Sequence, residues 1–194
     1  MKTQSNITEL EQWTETNKMR LNQRKTIIFK RSRQSFETRL TINGEWMERQ
    51  RTIKLLGVWL DEDGGRKTNT QAMCKKAYSR VSMLTKLKFA AVSTDDFITV
   101  YKLYIRTSLD YCSVAYHGSL SSQQAVDLER CQAVCLRVIF VEMYVSYEAA
   151  LEMAGLSKLA DRWQERCIDF AKKCIKHPSN HRFFPIRIKQ TQTK

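Results

Sequence analysis

The sequence predicts a predominantly helical α+β chain, a small antiparallel β layer followed by a helical bundle. Three observations predict it. Apolar residues alternate or run in short blocks only in the first third of the chain. From about residue 66 they recur at i, i+3, i+4 spacing to about residue 175. Only 2 Pro and 6 Gly occur among 194 residues, with hydrophobic content at 42%, which favours a folded, helix-rich protein over a disordered one.

Taken in order, Ile7, Leu10 and Trp13 stand at helical spacing, with a stop near Asn17. A short apolar strand follows over Thr26–Phe29. Arg39–Ile42 and Glu45–Met47 flank Asn43-Gly44, the dipeptide of a tight hairpin. Ile53–Leu60 reads as one further strand, ending at the turn-rich stretch from Asp61 to Gly65. Beyond it, Ala72, Ala77, Val81, Leu84 and Leu87 mark a long helix whose basic complement is Lys75, Lys76, Arg80, Lys86 and Lys88.

Ser93-Thr94 caps a helix holding Phe97, Val100, Tyr101, Tyr104 and Leu109, the aromatics being expected in the bundle core. Ser121-Ser122 opens another, through Val126, Leu128, Cys131, Cys135 and Ile139. A short helix runs from Ser146 to Gly155, and the last from about Ser157 to Ile175, before Pro178. The expected organisation is therefore 1–62, 66–178 and a basic tail over 179–194.

The formal net charge is +13. Residues 1–60 carry 12 basic and 6 acidic side chains, 61–140 carry 11 and 8, and 141–194 carry 10 and 6, so the excess is distributed rather than held in one tail. A folded surface of that kind favours a polyanion through counterion release. The plain alternative is a basic, solvated surface. No apolar run approaches a bilayer span and no signal peptide is legible, so the expectation is a soluble, intracellular protein, nuclear or cytoplasmic, with no membrane partner. The 6 cysteines lie mostly in apolar helical patterns without C-x-x-C, which makes buried thiols the expectation.

Several short motifs, in order, carry a resemblance. Asn17, Met19, Leu21, Asn22, Lys25 and Thr26 match N-x-M-x-L-N-x-x-K-T. Lys54, Leu56, Gly57, Val58, Leu60 and Asp61 match K-x-L-G-V-x-L-D. Tyr101, Tyr104, Ile105, Arg106, Ser108, Leu109, Asp110 and Tyr111 are similar to Y-x-x-Y-I-R-S-x-L-x-Y, and Leu128-Glu129-Arg130-x-Gln132 and Ala150-Leu151-x-x-x-Gly155-Leu156 continue the series. From about Ile7 to His177 the chain resembles the carboxyl-terminal palm edge and thumb of non-LTR (LINE-type, jockey-like) retrotransposon reverse transcriptases.

The resemblance implies an RNA-directed DNA polymerase as parent. Its Mg²⁺ is held by palm carboxylates on a strand and an Asp-Asp hairpin, both preceding Asn17 in the family and absent from this sequence. The expectation is a truncated, catalytically incompetent piece with no catalytic residue and no cofactor of its own. Lys25 keeps only a vestigial place on the leaving-group side. The implied partners are an RNA–DNA hybrid or other nucleic acid, bound non-specifically and salt-sensitively, and the missing palm and fingers. Arg24, Lys25, Lys54, Leu56, Gly57, Lys75, Lys76, Arg80, Lys86 and Lys88 are the candidate nucleic-acid residues. Leu56-Gly57 resembles the backbone that steadies a primer end, though a strand glycine equally marks a bulge. The lysines and Arg80 of the long helix follow duplex phosphates or form a solvated face. The alternatives are a retained standalone nucleic-acid-binding module, or an inert helical interaction protein from a decayed element.

Two other patterns read as structural. Asp95-Asp96 follows Ser93-Thr94 and suits a first helical turn, where acids favour the dipole, rather than a metal site. Cys167, Cys174, His177 and His181 lack the usual zinc spacing.

Overall fold

A computed structural model of the chain describes residues 2–22, 40–47, 50–88 and 92–180. The expected strand at Thr26–Phe29 and the tail beyond Asn180 lie outside the described residues. The chain divides into two compact units, Met1–Asn69 and Thr70–Lys194. Together they give an α+β, predominantly helical architecture with two separate antiparallel strand pairs.

In the first unit, α1 (Lys2–Thr16) ends where the sequence places its stop. It is tied to β1 (Thr41–Ile42) by Gln4, whose side-chain amide donates to the Thr41 carbonyl at 3.1 Å and accepts from the Thr41 N–H at 3.0 Å. The glutamine thus satisfies the backbone much as a neighbouring strand does. β1 pairs with β2 (Glu45–Trp46) across Asn43 and Gly44, at φ 51° and 76°. Positive φ at both central positions is the turn that matches strand twist, and Asn-Gly adopts it readily.

The expected single strand over Ile53–Leu60 is instead a second hairpin, β3 (Thr52–Leu55) and β4 (Val58–Asp61). Its two-residue turn is Leu56-Gly57, at φ 46° and 86°. A leucine there is strained, because its Cβ crowds the backbone in the left-handed region. Asp61 then accepts from the Thr68 N–H at 3.1 Å, capping the start of α2 (Lys67–Lys88), and Asn69 accepts from the Trp59 N–H at 3.1 Å.

The second unit is helical. Helix α3 (Thr94–Val100) starts at Ser93, whose hydroxyl accepts from the Asp96 N–H at 3.2 Å, so Asp95 and Asp96 do belong to a first turn. The helix widens into a π-helical segment, Tyr101–Arg106, before α4 (Thr107–Asp110). Phe97, Tyr101, Ile105 and Leu109 are all buried, four residues apart. In an α-helix each four-residue step drifts about 40° around the axis. The wider segment offsets that drift and keeps the four side chains on one face. Tyr104, expected in the core, is instead exposed.

After α5 (Ser113–Tyr116), α6 (Ser122–Phe140) is the axis of the core. Ser121 and Gln124 form its capping box. Leu128, Cys131, Gln132, Cys135, Leu136, Ile139 and Phe140 are buried at helical spacing, whereas Val126 faces solvent. Helix α7 (Tyr147–Ala154) is capped by Ser146 and closed by Gly155 at φ 58°. Helix α8 (Leu159–Lys176) begins two residues later than expected, and Pro178–Asn180, partly assigned to the tail, forms a 3₁₀ turn. Among the described residues no helix is long and apolar enough to cross a membrane. The thiols are not uniformly buried: Cys131 and Cys135 are, Cys74, Cys167 and Cys174 are half-buried, and Cys112 is exposed.

Candidate nucleic-acid interface

The candidate residues fall into both units. Arg24 and Lys25 lie outside the described residues. In the first unit, Lys54 is exposed beside Trp59, its Nζ 5.7 Å from the ring centroid. Leu56, 83% exposed, and Gly57 form the hairpin tip. The tip is a two-residue hairpin turn rather than a strand bulge.

In the second unit the sites gather on α2. This helix carries six basic side chains and no acidic one. Its buried hydrophobic residues are Ala77 and Leu84, and Lys75 and Lys86 project about 160–180° away from them around the axis. Both are exposed, as is Lys76 on the flank. The Lys88 side chain lies outside the described residues. Arg80 differs from the lysines: its guanidinium stacks 4.2 Å from the Tyr104 ring centroid and donates to the Tyr104 carbonyl. It clamps α2 to the π-helical segment and spends its charge within the protein.

A polar network in the core ties α6 to the π-helical segment, α7 and the start of α8. Gln132, fully buried, accepts from Tyr101 Oη at 2.6 Å and donates to Tyr147 Oη at 2.8 Å and to the Ser157 carbonyl at 3.1 Å. Glu129 accepts from Tyr147 Oη and, through both carboxylate oxygens, from the Leu159 N–H at 3.2 and 3.0 Å. A side chain 30 residues away therefore caps α8, whose Lys158 contributes no side-chain cap. Burial raises the pKa of Tyr101 and of Tyr147, and the bond to Glu129 raises Tyr147 further. Tyr101, Glu129 and Gln132, all residues of the quoted motifs, thus do structural work in this chain.

A second cluster escaped the sequence reading. Asp110, nearly buried at the end of α4, accepts from Arg162 Nε at 2.8 Å and from Trp163 Nε1 at 2.9 Å. A terminal nitrogen of Arg166 lies 3.4 Å from the same carboxylate oxygen that Arg162 uses. Arg106 stands four residues before Asp110, and the charges of Arg162, Asp110 and Arg166 all act on it. Sequence offers no signal for the cluster, since its partners are more than 50 residues apart.

Asp96 is bonded to Ser93 in its helix cap, and among the described residues no three His, Cys, Asp or Glu side chains come together. Cys167 and Cys174 lie on α8, while His181 lies outside the described residues. Between α2 and α6 a cavity of about 210 Å³, lined by Cys74, Tyr78, Asp127 and Arg130, is smaller than ordinary small-molecule sites. Burial, then the neighbouring Cys131, pushes Tyr78 up to about 12. A hydrogen bond from Cys131 lowers the pKa of Cys74. Comparison of the chain with protein-family models, with curated proteins and with solved structures finds no match.

Proposed function

We propose that the helical unit binds the phosphate backbone of nucleic acid without sequence specificity, as a thumb-like element of a non-LTR reverse transcriptase, and that these residues contribute grip rather than chemistry. The observation that carries the reading is α2: six basic side chains, no acid, and Lys75 and Lys86 aimed away from the core. Unlike the charge total, Lys75 and Lys86 are an exposed pair on one face of a helix whose opposite face packs into the core, which suits contact with a phosphate backbone. The motif order supports the family assignment and the RNA–DNA hybrid as the ligand of choice.

The test is a titration of the purified chain against an RNA–DNA hybrid and single-stranded RNA across a range of salt. Affinity should fall steeply as salt rises, with the hybrid preferred. A folded chain that binds neither at low salt overturns the proposal. The same reading expects no template-dependent extension by this polypeptide with Mg²⁺ or Mn²⁺. A second reading, a helical interaction protein, is favoured by Ile168 and Phe170, which stand exposed on α8. Concentration-dependent self-association abolished by Phe170→Ser would support it.

A further inference from the structure

We propose that Arg106, Arg162 and Arg166 form a receptor for a single phosphate group, with Asp110 as the residue that positions two of the three guanidiniums. The inference takes its ligand, a phosphodiester of a nucleic-acid strand, from the proposed function; the site's chemistry is argued independently. Arg162 and Arg166 stand one turn apart on α8, their side chains 32% and 44% exposed. Arg106 stands one turn before Asp110 and is half-buried.

Both carboxylate oxygens are engaged. One oxygen takes Arg162 Nε, with Arg166 close by, and the other takes the indole N–H of Trp163. Arg166 also donates to the Asp110 carbonyl at 3.3 Å. Yet three guanidiniums share this one negative charge, which leaves the cluster at +2. Among the described residues Arg106 has no hydrogen-bond or ion-pair partner. Its pKa is lowered, first by burial and next by the Arg162 charge, with Arg166 adding to the effect and Tyr101 and Asp110 opposing it.

A base whose folded pKa lies below its unfolded one costs stability at every pH below the folded value. At neutral pH the Arg106 charge is therefore a standing cost to the fold. A purely structural network has no use for it: Asp110, Arg162 and Trp163 already join α4 to α8. An anion supplies what the cluster lacks. A guanidinium carries five N–H donors in a planar fork suited to phosphate oxygens, and among the described residues Arg162 commits only its Nε–H. Held by Asp110, Arg162 and Arg166 keep their orientation before the ligand arrives, which lowers the entropy cost of binding.

Arg106→Gln is the discriminating variant, read out by thermal melting and by titration with the RNA–DNA hybrid and, separately, with inorganic tripolyphosphate. Lys173→Gln, which removes an exposed charge from α8, is the charge-matched control. We expect Arg106→Gln to melt at or above the wild-type temperature. It should weaken hybrid binding about tenfold, lower the log–log salt slope by about one and lose the stabilisation that tripolyphosphate gives the wild type. Lys173→Gln should change hybrid affinity by a smaller factor. If tripolyphosphate protection depends on Arg106 while the wild type binds no hybrid, the phosphate site stands and the nucleic-acid reading fails. If the hybrid binds and Arg106→Gln leaves both ligands unaffected, the nucleic-acid reading stands and the triad is structural. No binding of either ligand by the wild type also overturns the site.

Discussion

Among the described residues, the first unit buries three hydrophobic side chains, Leu40, Ile42 and Val58, and the second buries nineteen. The first leaves Trp46 66% exposed and Leu56 83% exposed, and its contacts are mainly hairpin ladders and single polar ties such as Gln4 to Thr41. The second is organised around α6, with a satisfied polar network inside an apolar core. Stability is therefore distributed unevenly along the chain. The basic helix proposed to meet nucleic acid continues into the well-packed unit, where Ala77 and Leu84 join its core. The hairpins have little core beneath them, and their exposed tips are bought cheaply.

Substitutions that break this comparison can be ranked. Trp163→Ala should be the most damaging: it empties a core position and strips Asp110 of the indole donor, for about 3–5 kcal/mol. A chemical denaturation curve measures the loss, and a cost under about 1 kcal/mol contradicts the core assignment. Glu129→Ala should cost about 2–3 kcal/mol, since it leaves the Leu159 N–H and Tyr147 Oη without their acceptor. Hydrogen exchange should then show earlier opening at the start of α8 than elsewhere in the unit.

Leu56→Gly should act in the opposite direction. Relief of the positive φ is worth about 1 kcal/mol, and the gain should protect the β3–β4 amides without altering the helical unit. Unchanged protection there contradicts the strained turn. Lys75→Glu and Lys86→Glu should shift stability least, by less than about 0.5 kcal/mol, while weakening nucleic-acid binding.

The helical unit should also be sensitive to alkali. Burial pushes Cys135 up to about 12, and burial with Cys131 does the same to Tyr78, while Tyr101 is raised well above its usual range. In each, the fold favours the neutral acid, so the unfolded chain ionises first. Stability is then full below about pH 8.5 and falls as pH rises through the unfolded cysteine and tyrosine values. Melting temperatures that stay level to pH 11 would count against that burial.

Local chemistry was the legible part of this fold. The caps at Ser93, Ser121 and Ser146, the stop at Gly155 and the Asn43-Gly44 hairpin all follow from side chains acting within a few residues. The Leu56-Gly57 turn was hidden because its first residue is a type that this geometry disfavours, leaving an apolar run that reads as one strand. The π-helical segment had a signal, the exact four-residue repeat from Phe97 to Leu109, which α-helical spacing tolerates only with drift. The Glu129 cap on α8 and the arginines around Asp110 depend on residues 30 to more than 50 positions apart, and only tertiary packing brings them together. The α2 lysines were visible from sequence, but the diversion of Arg80 to Tyr104 was not.

The most direct test of the central claim compares the salt dependence of RNA–DNA hybrid binding in the wild type and in the Lys75→Glu, Lys86→Glu double variant. The account predicts steep dependence in the wild type, a slope reduced by roughly two in the variant, and unchanged melting. Equal slopes and affinities in two equally folded proteins would contradict it, leaving α2 as a solvated face.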